Sequence, residues 1–214
     1  MTTLPGRLLS AIAPPFCWGC GGDARAGSPL CRGCLGALRW LPAEPVALTG
    51  VSTWAPLAYE GPAAALARAL KYRGAVALAE PMAARMAANA PDGMLGGDAA
   101  LVPVPLHPSR RRHRGYNQAQ LLAAALARRA GLGSEDCLRR TGSRSRQVGR
   151  GRAERIAGIA GRVEVAPRAT APPRAVLVDD VATTGATLAA CAEALRGAGC
   201  AVLGAVTFAR TPGR

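Results

Sequence analysis

Lysine is nearly absent from this chain. It occurs once, at Lys71, and the other 26 basic residues are arginine. Aromatic side chains are scarce too: two Phe, three Trp and three Tyr make up 4% of the 214 residues. A surface that holds unpaired bases on many stacked rings has little material here. The candidates are Trp18, Trp40, Tyr72 and Tyr116, with Trp54 expected in the core. No apolar run approaches the roughly 18 residues of a membrane span. The segment after Arg7 imitates a secretion signal, but Pro14 and Pro15 break its apolar core. Phe16 before Cys17 does not suit lipoprotein processing. This segment is expected to be a short amphipathic helix packing Leu8, Leu9 and Ile12. The expected compartment is the cytoplasm, where thiols stay reduced.

Acidic residues are also few, 13 against 27 basic ones, for a net charge of +14. The imbalance is local. Residues 106–155 hold 13 arginines and three acids (Glu135, Asp136, Glu154) and carry +10 of the total. Guanidinium groups bind phosphate oxygens in pairs. A surplus of this size suits a polyanion: pyrophosphate, a phosphorylated sugar or nucleic acid.

Four of the seven cysteines form Cys17-x₂-Cys20-x₁₀-Cys31-x₂-Cys34. Gly19, Gly21, Gly33 and Gly36 suit knuckles that aim backbone N–H groups at sulfur. Two paired turns of this kind make a tetrahedral four-thiolate Zn²⁺ site. So short a segment cannot build its own core, so metal binding would supply its folding energy. Cys191 and Cys200 read as small buried hydrophobes. Cys137, beside Glu135 and Asp136, lacks the cations that activate a nucleophilic thiol.

Residues 175–188 read AVLVDDVATTGATL. Four apolar residues predict a buried strand, and Asp179 and Asp180 follow it. Ala182, Thr183, Thr184, Gly185, Ala186 and Thr187 form a small-residue loop before a helix running from about 184 to 195. Free N–H groups and the helix dipole there favour an anion. The acids suit sugar hydroxyls or a hydrated Mg²⁺. A phosphate cradle beside paired acids points to a ribose 5-phosphate.

Elsewhere, residues 39–50 read as a linker and 51–59 as a strand. Helices are predicted over 61–72 and about 76–89, a loop over 90–98 and a strand over 101–105. A basic loop spans 106–116. The next helix starts at Asn117, with Gln120 placed to complete a capping box. Residues 138–162 read as a basic flap outside the core, and 200–209 as the last strand. This alternation indicates an α/β domain with a parallel sheet flanked by helices. A small zinc-binding module (1–40) precedes the main domain (51–214).

The 175–188 segment resembles the phosphoribosyl pyrophosphate (PRPP) motif of type I phosphoribosyltransferases. The order of parts resembles the ComF (ComFC-like) competence proteins, which join a four-cysteine zinc finger to such a domain. The landmarks are the four cysteines, Lys71-Tyr72-Arg73-Gly74, VPVPLHPSRRRHRGYNQAQLLA, Arg140 with Gln147, Arg155 and the cradle. The resemblance implies that Asp179 and Asp180 hold the ribose hydroxyls of PRPP with Mg²⁺. It implies that 182–187 hold the 5′-phosphate. Leu106, His107, Pro108 and Ser109 would form the pyrophosphate loop, and 138–162 would close over PRPP. Arg110, Arg111, Arg112, Arg114 and Arg155 would serve nucleic acid or the flap. Gly158 and Val163 depart from the Asn- and Phe-containing pattern that usually follows the flap arginine. The family implies a role in single-stranded DNA uptake, with other uptake proteins as partners. The alternative is an active phosphoribosyltransferase of nucleotide metabolism with an unknown acceptor. A glutaminase-coupled reaction is not expected, because no such domain fits in 214 residues.

Overall fold

The computed structural model describes residues 16–141 and 162–212. The expected N-terminal helix, Gln147 and Arg155 lie outside them. The chain is mixed α/β, with a mostly parallel sheet flanked by helices. In chain order its strands are β1 (Val46–Leu48), β2 (Val51–Trp54), β3 (Leu57–Ala58), β4 (Ala100–Pro103), β5 (Leu138–Thr141), β6 (Arg162–Val165), β7 (Arg174–Ala182) and β8 (Ala201–Arg210). Its α-helices are α1 (Arg32–Gly36), α2 (Gly61–Tyr72), α3 (Ala79–Asn89), α4 (Pro108–Arg114), α5 (Gln118–Ala130) and α6 (Ala186–Gly197).

The main sheet runs β1-β2-β8-β7-β4, with β3 also on β8. Only the β1–β2 pair is antiparallel. β2 and β3 are one line of strand in constant register: Thr53 faces Ala205, and Leu57 faces Ala209. The interruption falls at Pro56, which has no N–H for a ladder. Its carbonyl accepts from Leu41 N at 2.9 Å instead.

Period-two alternation divides the core between the two faces of the sheet. Val176, Val178, Val206 and Phe208 pack with Leu66 and Leu70 of α2, Met82 and Met86 of α3, and Leu122 and Leu126 of α5. Ala175, Leu177 and Ala205 pack with Leu188, Cys191 and Leu195 of α6. Cys17, Leu30 and Leu38 belong to the first cluster, so the cysteine segment shares the core of the sheet.

Several expectations are corrected. The 39–50 linker contains β1, because Thr49 and Gly50 take positive φ (47° and 79°) and turn the chain into a hairpin on β2. Residues 106–116 are not all loop. Pro108 suits the first turn of a helix, His107 caps it, and α4 forms. Asn117 does cap α5, accepting from Ala119 N at 3.1 Å. Gln120 forms no capping box and donates to Asp136. The ends of the 138–162 segment pair as an antiparallel ribbon, β5–β6, and Leu138 is buried. The strand assigned to 175–178 continues through both acids, since Asp179, Val181 and Ala182 stay paired with Thr207, Ala209 and Arg210. Helix α6 accordingly begins at Ala186 rather than near Thr184.

Candidate functional site

The carboxyl ends of parallel strands are where open α/β sheets bind ligands. At that edge β7 leads through Thr183 and Thr184, both exposed, into Gly185 and α6. Gly185 is buried and adopts φ 79°. A Cβ there would lie 2.6 Å from Leu48 Cβ and 3.1 Å from the Leu48 carbonyl carbon. Only glycine satisfies both the left-handed turn and the hairpin packed against it. Gly185 brings no side chain to cap α6, and Thr184 Oγ1 reaches Ala186 N at 3.4 Å. The helix therefore starts with little competition for an anion at its N–H groups.

Consecutive strand residues face opposite ways, and the two acids differ accordingly. Asp180 shares the face of Val176 and Val178 and is 1% exposed. Its Oδ2 lies 2.9 Å from Lys71 Nζ, and its Oδ1 accepts from Gln118 Nε2 at 3.5 Å. Burial alone would lower the Lys71 pKa. The charges of Asp180 and then Asp179 outweigh it, and the pKa is raised. Asp179 is partly exposed, on the face of Leu177 and α6, and its Oδ1 accepts from Asp180 N at 2.8 Å. Lost hydration, then the adjacent Asp180 charge, hold its carboxyl well above the usual carboxylate range, against the pull of Lys71.

That shift has a stability consequence. A carboxyl whose folded pKa is raised costs stability as pH climbs from its unfolded value, about 3.9, through the folded one. Above the folded value the cost is constant. Asp179→Asn is therefore expected to raise Tm at neutral pH and to flatten the pH dependence of Tm on the acid side. Thermal melts from pH 4 to pH 8 test this, and an unchanged or lowered Tm at pH 7 contradicts it.

Beside the Lys71–Asp180 pair opens a cleft of about 550 Å³ lined by Lys71, Tyr72, Gly74, Ser109, Arg110, His113, Arg114 and Tyr116. One face of α4 supplies Ser109, Arg110, His113 and Arg114, at helical spacing. Arg111 and Arg112 are exposed and are not among the residues that line the cleft. The expected pyrophosphate loop is thus split. Leu106 and His107 are partly buried, and His107 Nδ1 accepts from Ser109 N at 3.2 Å. Pro108 and Ser109 begin the helix. The structure brings together Asp179, Asp180, the 182–187 loop, Ser109, Arg110 and Arg114 at one edge.

Lys71, a landmark of the resemblance with no role assigned to it, and Gln118, which the sequence did not single out, both contact Asp180. Lys71 carried a signal, since it is the only lysine in a chain that otherwise uses arginine. Gln118 carried none, because a glutamine in a first helical turn is ordinary.

The four cysteines converge at a second candidate site. Their Sγ atoms all lie within 4.8 Å of one another, with Cys20 and Cys31 at 3.8 Å. Tetrahedral Zn–S bonds of about 2.3 Å place sulfurs roughly 3.8 Å apart, so the donor set fits that ion. Burial raises the Cys17 thiol. N–H donors from Cys31, Cys20 and Gly19 outweigh that effect and lower it to about 6. Burial, with hydrogen bonding to the neighbouring cysteines, pushes Cys34 up to about 12. A Cβ at Gly19 would meet Cys34 Sγ at 2.8 Å, so glycine is needed for this approach. Cys191 and Cys200 are buried as expected, and burial raises both thiols. Cys137 is buried too, with its thiol raised by burial and by Cys200, Glu135 and Asp136. Among the described residues no helix is long and apolar enough to cross a membrane.

No family model and no curated protein matches the chain. Among solved structures it is similar to orotate phosphoribosyltransferase from Aeropyrum pernix, with 24% identity and a TM-score of 0.36. The match covers 65% of this chain and 62% of that one.

Proposed function

We propose that the chain binds PRPP with Mg²⁺ at the carboxyl edge of β7. One observation carries this reading: β7 bears the acid pair near its carboxyl end and leads, past Ala182, to a sterically obligatory Gly185 and a helix start free of a side-chain cap from Gly185. In this reading Ala182, Thr183, Thr184, Gly185, Ala186 and Thr187 hold the 5′-phosphate through N–H and hydroxyl groups. Asp179 and Asp180 accept from the ribose hydroxyls, directly or through water on Mg²⁺. Lys71 and residues 106–109 hold the pyrophosphate. The four cysteines hold one structural Zn²⁺.

The finer reading is a ComF-like protein of the cytoplasm that acts on single-stranded DNA during natural transformation, with DNA-uptake proteins as partners. Its support is the four-cysteine segment joined to the cradle, the net charge of +14 and the exposed Arg110, Arg111 and Arg112. Arg114 and Arg155 complete the arginine set. The alternative is an active phosphoribosyltransferase. In it an acceptor lone pair attacks C1′, and the C1′–O bond breaks as pyrophosphate leaves with the electron pair.

A paired measurement tests these readings. Calorimetry with PRPP and Mg²⁺ should give saturable binding, strongly weakened in Asp179→Ala/Asp180→Ala. Each lost hydrogen bond to a charged acceptor is worth about 1.5–3 kcal/mol. Equal affinity in both proteins rejects the assignment. Single-stranded DNA binding should fall steeply with salt, at about 0.7 log units per log unit for each neutralised phosphate. Pyrophosphate release with candidate bases, without DNA binding at physiological salt, favours the transferase.

A further inference from the structure

The ring of Tyr72 is 73% exposed, the largest exposure among the large hydrophobic side chains described. A chain with eight aromatic residues does not leave one in water without cost. Tyr72 is the last residue of α2, and the Arg114 guanidinium lies 5.2 Å from the centre of its ring. That guanidinium is itself held, because Arg114 Nη1 donates to Gln118 Oε1. Gln118 in turn donates to the buried Asp180. Tyr116 donates its hydroxyl to Leu70 O and so ties the start of α5 to the end of α2. The cleft wall is therefore built before any ligand arrives, which lowers the ordering cost of binding.

The lining has a definite chemistry. Lys71, Arg110 and Arg114 supply positive charge, His113 a further donor, and Tyr72 and Tyr116 flat apolar surface. Among the described residues no carboxylate lines the cleft. A ligand that uses all of this is anionic at one end and planar at the other.

We propose that this cleft is a nucleotide site, with a nucleobase stacked on Tyr72 beside Arg114 and the phosphate on Arg110 and His113. Aromatic and guanidinium surfaces hold bases without reading sequence, because every base has a π-face. The source is either a free mononucleotide or a nucleotide within a single strand. The proposal deepens the reading of a PRPP-binding protein by naming the class of its second ligand. It stands on Tyr72 and Arg114, which take no part in the cradle.

The test uses the full-length protein and 2-aminopurine, whose fluorescence falls on stacking. Three probes are titrated: 2-aminopurine deoxyribonucleoside 5′-monophosphate, a short oligodeoxynucleotide carrying one 2-aminopurine, and the nucleoside without phosphate. The wild type should quench the monophosphate and bind the nucleoside more weakly. Quenching of the oligonucleotide as well assigns the site to a strand. Quenching of the monophosphate alone assigns it to a free nucleotide. Tyr72→Ala, at an exposed position, should weaken binding about tenfold or more, on the order of one lost base stack. Tyr72→Phe should retain it. PRPP affinity, measured in parallel by calorimetry, should be the same in wild type and Tyr72→Ala. Absent quenching, or equal affinity in wild type and Tyr72→Ala, overturns the nucleotide site even where PRPP binds. Loss of PRPP binding in the wild type, with quenching intact, overturns the cradle assignment and leaves the nucleotide site standing.

Discussion

Cys20→Ser is expected to abolish the proposed zinc binding and lower Tm by about 10–20 °C. Cys20 is exposed, so the substitution removes a ligand without opening a cavity. In isolated zinc fingers the metal contributes about 10–16 kcal/mol of apparent folding free energy. Here the segment also reaches inward. Cys17 and Leu30 are at most 1% exposed and pack in the cluster that holds Trp54, Leu57 and Leu66. Unfolding the knuckles therefore strips one side of the sheet's main core. In a domain of this size each kcal/mol shifts Tm by roughly 2–4 °C, so a net loss near 5 kcal/mol moves it about 10–20 °C. Cys17→Ser should be worse, because Cys17 Sγ also accepts from Gly19 N at 3.3 Å and Cys31 N at 3.2 Å. Metal analysis of native protein should give one zinc per chain. A folded, zinc-free native protein with an unchanged Tm refutes this.

Lys71→Met should be the most damaging single change in the carboxyl-edge site. It leaves the Asp180 carboxylate, 1% exposed, with only the 3.5 Å contact to Gln118 among its described side-chain partners. An unpaired buried charge of this kind costs about 3–5 kcal/mol. The double variant Lys71→Met/Asp180→Asn should recover most of that loss, because it removes the charge with its partner. Denaturant melts of the four proteins form a double-mutant cycle. A coupling energy near zero would mean that the pair is not made in solution. Lys71→Arg keeps the charge but brings a broad planar group where a compact ammonium fits, so partial destabilisation is expected.

Much of the fold was legible because local rules and tertiary packing agree. Helix α2 begins with Gly61 and Pro62 and buries Leu66, Ala69 and Leu70, as its spacing indicates. Helix α5 opens at Asn117 and closes at Gly131 with φ 68°. The cysteine pairs announced their own convergence by their spacing. What could not be read was decided at longer range. β1 is three residues long and exists only because the Thr49–Gly50 turn folds it onto β2. β7 runs past its apolar stretch because β8 supplies ladder partners for Asp179 and Val181. Helix α4 hides in a run of arginines whose charge masks an ordinary helix start at Pro108.

At the site, the residue types were legible but their arrangement was not. Two adjacent aspartates suggest joint action on one ligand. In a strand they face opposite sides, and only Asp180 reaches Lys71. The partner choice depends on α2 lying against the Val176–Val178 face, which no short motif encodes. The cleft has the same origin. Tyr72 and Arg114 are 42 positions apart, and the packing of α2 against the α4–α5 junction brings them together.

In the proposed function the β7–α6 turn holds the phosphate of a phosphoribosyl ligand. A crystal structure of the full-length protein grown with PRPP and Mg²⁺ tests it most directly. The account predicts a 5′-phosphate within hydrogen-bonding distance of the N–H groups of Thr184 to Thr187, with a ribose hydroxyl on Asp179 or Asp180. PRPP bound elsewhere, or an empty turn at saturating PRPP, would contradict it.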